Sequence, residues 1–313
     1  MALSNEFIIT LQSIKGFGLA TINKIYEASE GNNIFSLEDL YVLLKDSLNI
    51  KKLPDFDTLE IANQKAKTII SKSEGLGIGI ISRYDSKFPQ KLLLTVNELG
   101  KPAVPILLYY KGDLSITSKP SLAIIGTREP SEEGAKAASY FAESFAAYGI
   151  NIVSGLAIGC DSEGHRGAIS VNGATTAFLA HGLDTIYPKE NEDLAQEILD
   201  KGGLLLSEYP IGTDVNKYNL VARDRLQSGL ADATLVIQTG IKGGTMHAAT
   251  TTLLANKTLF VVKYKDMTSE KVAGNIYLHS KGAKYITSID VKETIATITN
   301  ASSRDEHFKD TLF

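Results

Sequence analysis

The chain is short of several things at once. Cysteine occurs once, at Cys160, so no internal disulfide can form and a zinc finger is excluded; a lone thiol agrees with a reducing compartment. Apolar runs are brief, as at residues 106–110 and 204–206, far from the ~20 residues a membrane helix requires, so no membrane span is expected. The first ten residues carry Glu6 and lack a basic start, an apolar core and a small-residue cleavage site, which makes the cytoplasm the expected location. Positive charge is also in deficit. Thirty-two Lys and Arg face 36 Asp and Glu, for a net charge of −4. Any polyanion must therefore be met by a local basic surface, because the overall field repels it.

What remains is an ordinary globular composition, 43% hydrophobic and 22% charged, over 313 residues. That length predicts one main domain and a smaller companion. Apolar positions such as Phe7, Ile8, Leu11 and Ile14, then Ile22, Ile25 and Tyr26, recur at helical spacing, as they do over 61–70. Residues 1–75 thus read as a helical domain. Within it, Ile14-Lys15-Gly16-Phe17-Gly18 followed by a helix resembles a helix-hairpin-helix element, of the kind found in SAM-like domains, whose turn amides can hold a DNA phosphate; two glycines in an inter-helix turn are more often plain C-caps.

The texture changes near residues 72–80, and from there short β-rich runs alternate with helical ones. Strands are expected at 122–125, 150–153, 175–179, 204–206, 234–237 and 259–262. Helices are expected across 132–148, 162–171, 191–199, near 223–230, and across 246–254. This βαβ rhythm, with strands that are apolar without alternation, predicts a mostly parallel sheet covered by helices on both faces, a Rossmann-like α/β domain over 76–300. A last short helix opens near Asp290, and 301–313 reads as a polar tail.

In such a sheet, ligands bind outside the carboxyl ends of the strands. Three glycine-bearing turns fall there. Gly126, Thr127 and Arg128 offer close backbone approach, a hydroxyl and a planar donor fork suited to phosphate, although Arg128 also has Glu129 beside it as an ion-pair partner. Ser154 and Gly155 open a second turn that ends at Gly159-Cys160-Asp161, with Asp161 placed to cap the following helix. Lys242, Gly243, Gly244 and Thr245 form the third, followed by His247. Arg223 and Arg225 lie between the second and third turns, and two arginines spaced by one residue diverge on a helix. No Rossmann dinucleotide spacing and no Walker lysine is present, so no cofactor is expected.

The turns and their order resemble the DNA-processing protein A (DprA, also called Smf) family over roughly residues 79–286. The segments that carry the resemblance are Ile124-Ile125-Gly126-Thr127-Arg128, Ser154-Gly155-Leu156-Ala157, Gly159-Cys160-Asp161, His165-Arg166-Gly167-Ala168, Gly182-Leu183-Asp184-Thr185-Ile186-Tyr187-Pro188 and Ser207-Glu208-Tyr209-Pro210. Arg223, Arg225, Gly229-Leu230, Gly244-Thr245 and Gly274-Asn275 extend it. The resemblance implies a protein without enzymatic activity that binds single-stranded DNA in a basic pocket, forms a homodimer, and helps load the recombinase RecA during natural transformation. The implied phosphate-binding residues are Gly126, Thr127, Arg128, Ser154, Gly155, Arg223, Arg225, Lys242, Gly243, Gly244 and Thr245. Three departures lower the positive charge. Ile158 stands where the family usually has Arg or Lys, Val221-Ala222 replaces a Pro-Arg pair, and Asp224 replaces an Asn.

A looser resemblance extends to the LONELY GUY-type phosphoribohydrolases, which implies a nucleotide-binding or nucleotide-sensing protein as the alternative. Those enzymes place a catalytic Glu after their glycine turn. Here Met246-His247-Ala248-Ala249 follows, with no carboxylate for acid or base help. Cys160 with His165 is a weaker nucleophile candidate, and His181 and His247 form no recognisable metal-ligand spacing.

Overall fold

The computed structural model describes residues 3–31, 34–46 and 53–307, which divide into two compact units, one ending at Ser82 and one beginning at Arg83. The first unit holds α1 (Asn5–Gln12), α2 (Leu19–Ser29), α3 (Leu37–Asp46), α4 (Phe56–Gly75) and the short strand β1 (Gly79–Ser82). Ser4 and Asp55 cap α1 and α4 by accepting from the amides of Phe7 and Thr58. Ile8, Leu11, Ile22, Ile25, Leu40 and Leu59 close the core between them. In the turn after α1, Gly16 takes a left-handed backbone (φ +97°) and Gly18 is the N-cap of α2.

The second unit contains β2 (Leu107–Gly112), β3 (Ser121–Ile125), α5 (Glu132–Ala146), β4 (Asn151–Ser154), α6 (Cys160–Ser170), β5 (Thr175–Leu179), α7 (Glu192–Asp200) and β6 (Leu204–Ser207). It continues with α8 (Lys217–Leu230), β7 (Ala233–Val236), α9 (Gly244–Leu254), β8 (Thr258–Val262), α10 (Ala273–Ser280), β9 (Lys284–Ile286) and α11 (Val291–His307). Its strands lie in the order β2-β6-β5-β4-β3-β7-β8-β9. From β6 to β9 all neighbours are parallel. β2 is antiparallel to β6, with Tyr109 opposite Ser207. It precedes the first strand-helix-strand unit, so no crossover helix sets its direction.

The central strands are buried along their whole length, which is why their sequences are apolar without alternation. On one face Leu122 and Ile124 pack in a cluster with Ala138, Phe141 and Phe145 of α5. On the other, Ile125, Val236 and Val261 meet Ala248 and Ala249 of α9. α10 is not among the expected helices, and two of the expected ones differ in extent. α8 begins at Lys217 rather than near Arg223, because Asn216 accepts from the amide of Asn219 at 2.9 Å and starts the helix in a polar stretch that apolar periodicity does not register. α11 is not short: it carries helical backbone to His307, into the stretch read as tail, while 308–313 lie outside the described residues.

The strand order creates one crevice. From β3 the chain winds outward through β4, β5 and β6; from β7 it winds the other way through β8 and β9. The carboxyl ends of β3 and β7 therefore lie side by side at the switch point, where the following connections diverge to opposite faces.

Candidate functional site

A cleft of about 580 Å³ opens at that point. Residues 126–129 form one wall, α8 another and residues 239–245 with the start of α9 a third, while Ala157 and Asp161 contribute from the second turn.

The first turn is fixed from behind. A Cβ at Gly126 would stand 2.5 Å from Cys160 Sγ, so glycine is required by the close approach of α6. The Thr127 amide donates to the Gln238 carbonyl at 2.7 Å, its carbonyl accepts from the Cys160 amide at 3.1 Å, and its hydroxyl accepts from the Glu129 amide at 3.2 Å. Lys271 holds the Glu129 carbonyl at 3.1 Å. Arg128 projects from this pinned turn into the cleft, exposed, and forms no ion pair with Glu129.

The third turn is held by Asn275, which is fully buried. Its Oδ1 accepts from the Thr239 amide at 3.0 Å, and its Nδ2 donates to the carbonyls of Ile237 at 2.8 Å and Val262 at 3.1 Å. One side chain thus ties the exits of β7 and β8 to the turn. Gly243 adopts φ +136° as the N-cap of α9 and offers no side-chain cap, so the positive end of the helix faces the cleft without a local counter-charge on that residue. Lys242 is exposed beside it.

Three cations lining the cleft, Arg128, Lys217 and Lys242, have no hydrogen bond or ion pair with the described residues. Lys217 carries no motif, yet it sits one turn before Leu220 and Val221 and two turns before Asp224, so helical spacing puts all four on the same wall. The late expected start of α8 concealed this.

Four expected phosphate ligands are placed otherwise. Ser154 is buried and its hydroxyl donates to the Ile124 carbonyl at 2.6 Å. Gly155 is also buried; its amide donates to Asp161 Oδ2 at 3.1 Å, so Asp161 closes its own turn rather than capping α6, whose N-cap is Gly159. Leu156 turns inward with φ +58°. Arg225 pairs with Glu208 at 2.6 Å and donates to the carbonyls of Ala103, at 3.0 Å, and Ala222. Arg223 reaches the cleft lining but is 4% exposed, with Nη1 donating to the Phe178 carbonyl at 2.8 Å. Its Nε lies 3.4 Å from Asp224 Oδ1, and its charge also acts on Asp161. Burial pushes both Asp161 and Asp224 upward, Asp224 to about 6, while the Arg223 guanidinium opposes the shift in each.

The other candidates are occupied by packing. Burial drives the Cys160 thiol up to about 12, with the Asp161 charge adding to the effect, the reverse of what a nucleophile requires. His165 is enclosed, its Nδ1 2.7 Å from Thr175 Oγ1, and burial together with Arg223 and Arg166 lowers its imidazole to about 3. His181 Nδ1 lies 2.8 Å from the Gly182 carbonyl, and His247 pairs with Glu98. Among the described residues no three His, Cys, Asp or Glu side chains gather as metal ligands, and no helix is long and apolar enough to cross a membrane.

A family model described as DNA recombination-mediator protein A matches residues 79–297, well over half of the chain. The chain belongs to that family. Protein Smf of Escherichia coli is 35% identical over 179 residues, covering 57% of this chain and 46% of that protein. The family member described here spans about half the length of the first curated relatives it matches. The structure of DNA processing protein A from Streptococcus pneumoniae superposes with a TM-score of 0.75 at 26% identity, covering 93% of this chain and 97% of that one. DNA processing protein A from Helicobacter pylori, whose structure is presented for its single-stranded DNA binding mode, gives 0.60 at 29% identity over 71% of this chain and 96% of that one.

Proposed function

We propose that this DNA recombination-mediator family member binds single-stranded DNA, with backbone phosphates held in the cleft at the β3/β7 switch point. The observation that carries the reading is that Arg128, Lys217 and Lys242, none with a hydrogen bond or ion pair among the described residues, line the same cleft as the start of α9, whose N-cap Gly243 offers no side-chain cap. Exposed cations gathered around one cleft raise the local concentration of an anionic ligand. Gly126, Thr127, Gly243, Gly244 and Thr245 supply the close backbone approach around them. The family membership and the single-stranded DNA binding of the Helicobacter pylori relative support the same ligand class. Within a mediator's role the bound strand is passed to RecA in the cytoplasm, by a homodimer and without enzymatic turnover, during DNA uptake.

Fluorescence anisotropy of a labelled oligo-dT titrated at two or more salt concentrations tests this. Three phosphate contacts predict that log K falls against log salt with a slope of about −2. Absence of binding at low salt, or binding without a salt slope, defeats the proposal.

The cleft volume favours one second reading, a mononucleotide, since about 580 Å³ falls within the size of small-ligand pockets. A thermal-shift screen with mononucleotides and cyclic nucleotides separates the two. Stabilisation by one nucleotide and by no oligonucleotide reverses the ranking.

A further inference from the structure

The cleft contains a feature that an anion site does not need. Its lining carries four cations, Arg128, Lys217, Arg223 and Lys242, against three carboxylates, Glu129, Asp161 and Asp224. Glu129 is exposed and solvated, but the other two are buried. They share a single buried guanidinium. Arg223 contacts Asp224 and acts on Asp161 through its charge alone, so this trio is net negative when both carboxylates are ionised.

All three line the cleft, and Asp224 is the carboxylate set against the start of α9. Its Oδ2 lies 3.4 Å from where a Cβ on Gly244 would stand, against the first residue of α9. A carboxylate is thereby held by the protein beside the helix end that would otherwise attract a phosphate. Its Oδ1 accepts from Gln227 Nε2 at 3.2 Å. The charged and titratable groups acting on it are Arg223 from its own helix, Asp161 from α6, His247 from α9 and Arg128 from the first turn.

We infer that Asp224 is a specificity-determining residue of this cleft: an internal carboxylate that competes with ligand phosphate at the start of α9 and so limits affinity for polyanions. The inference rests on the cleft being the anion site. Neutralising Asp224, by substitution or by a proton, raises the excess of positive charge in the lining from one to two. One unit charge removed at ~6 Å through a dielectric of roughly 40–80 changes affinity about 3- to 10-fold. Burial lifts the Asp224 carboxyl to about 6, so the change falls within an accessible pH interval.

The test is oligo-dT anisotropy at low salt with the full chain, comparing wild type, Asp224→Asn, His247→Gln and Arg128→Ala from about pH 7.5 to about pH 5. Wild type is expected to tighten about 3- to 10-fold on acidification, Asp224→Asn to bind at pH 7.5 as wild type does at pH 5 with no further gain, and His247→Gln to retain the gain. If Arg128→Ala loses binding while Asp224→Asn matches wild type at pH 7.5, or still tightens on acidification, the cleft stands and the inference about Asp224 falls. If no protein binds, or Arg128→Ala binds like wild type, the cleft reading falls and the inference with it. Should Asp224→Asn not fold, wild type and His247→Gln decide: a flat pH profile, or a gain lost with His247, overturns the proposal.

Discussion

The guanidinium of Arg223 fills the space that a side chain at position 155 would occupy: an ideal Cβ on Gly155 overlaps Nη1, and Nη2 is 2.8 Å from it. The glycine of the second turn thus makes room for a protein cation. Its counterpart in the third turn, Gly243, has no atom within 4 Å of an added Cβ and owes its identity to a backbone φ of +136°.

Gly155→Ala is therefore expected to expel Arg223 from its hydrogen bond to Phe178 and leave Asp161 and Asp224 without their shared counter-charge. Breaking a buried ionic group costs on the order of 3–5 kcal/mol. Urea unfolding monitored by circular dichroism measures it; a loss below about 0.5 kcal/mol would show that the guanidinium relocates freely.

Arg128 and Arg223 should separate binding from stability. Arg128→Ala removes an exposed, unpaired side chain. It should leave the melting temperature nearly unchanged and weaken oligo-dT binding by about 1–3 kcal/mol, the worth of a charge-assisted contact. Arg223→Ala should unfold the domain or lower its stability by several kcal/mol before binding can be read. Equal losses of stability in both variants would contradict the assignment.

The elevated carboxyl of Asp224 predicts a pH-dependent stability with a definite sign. Its folded value of about 6 exceeds the ordinary 3.8, so the folded protein holds this proton more tightly than the unfolded chain. That stabilisation is complete below about pH 4 and is lost as pH rises through 6. Asp224→Asn should raise stability near neutral pH by up to roughly 3 kcal/mol and have little effect near pH 4, as thermal melts at both values would show. A gain that is larger in acid than at neutral pH would refute the sign.

Cys160 should be inert in the folded protein. It is fully buried and its thiol is pushed up to about 12. Iodoacetamide should label it only in denaturant, and Cys160→Ser should leave DNA binding intact. Rapid labelling of the native protein would show that α6 opens.

Much of the second unit was readable along the chain, and the reason is local. A parallel strand buried on both faces must be a short continuous apolar run, as at Ser121–Ile125 and Ala233–Val236, and each helix that follows needs a turn that glycine accommodates. The same regularity, with the ordered motifs at Gly126, Asp161, Gly244 and Asn275, carries the family resemblance. Spacing also foretold that Arg223 and Arg225 diverge. By contrast, Lys217 was invisible as a cleft residue because the cap that starts α8, Asn216, lies outside the apolar pattern.

The sheet, its three glycine turns and the end of the strands at which they gather follow from the order of residues, because they depend on periodicity and on backbone geometry within a few residues. Tertiary structure alone decided what each polar group faces. Arg223 meets the Phe178 carbonyl 45 positions away and Arg225 meets Glu208 17 positions away, whereas Arg128, Lys217 and Lys242 have no hydrogen bond or ion pair among the described residues. A charge acquires its role from the distance to its counter-charge, and that distance is set only when remote segments pack.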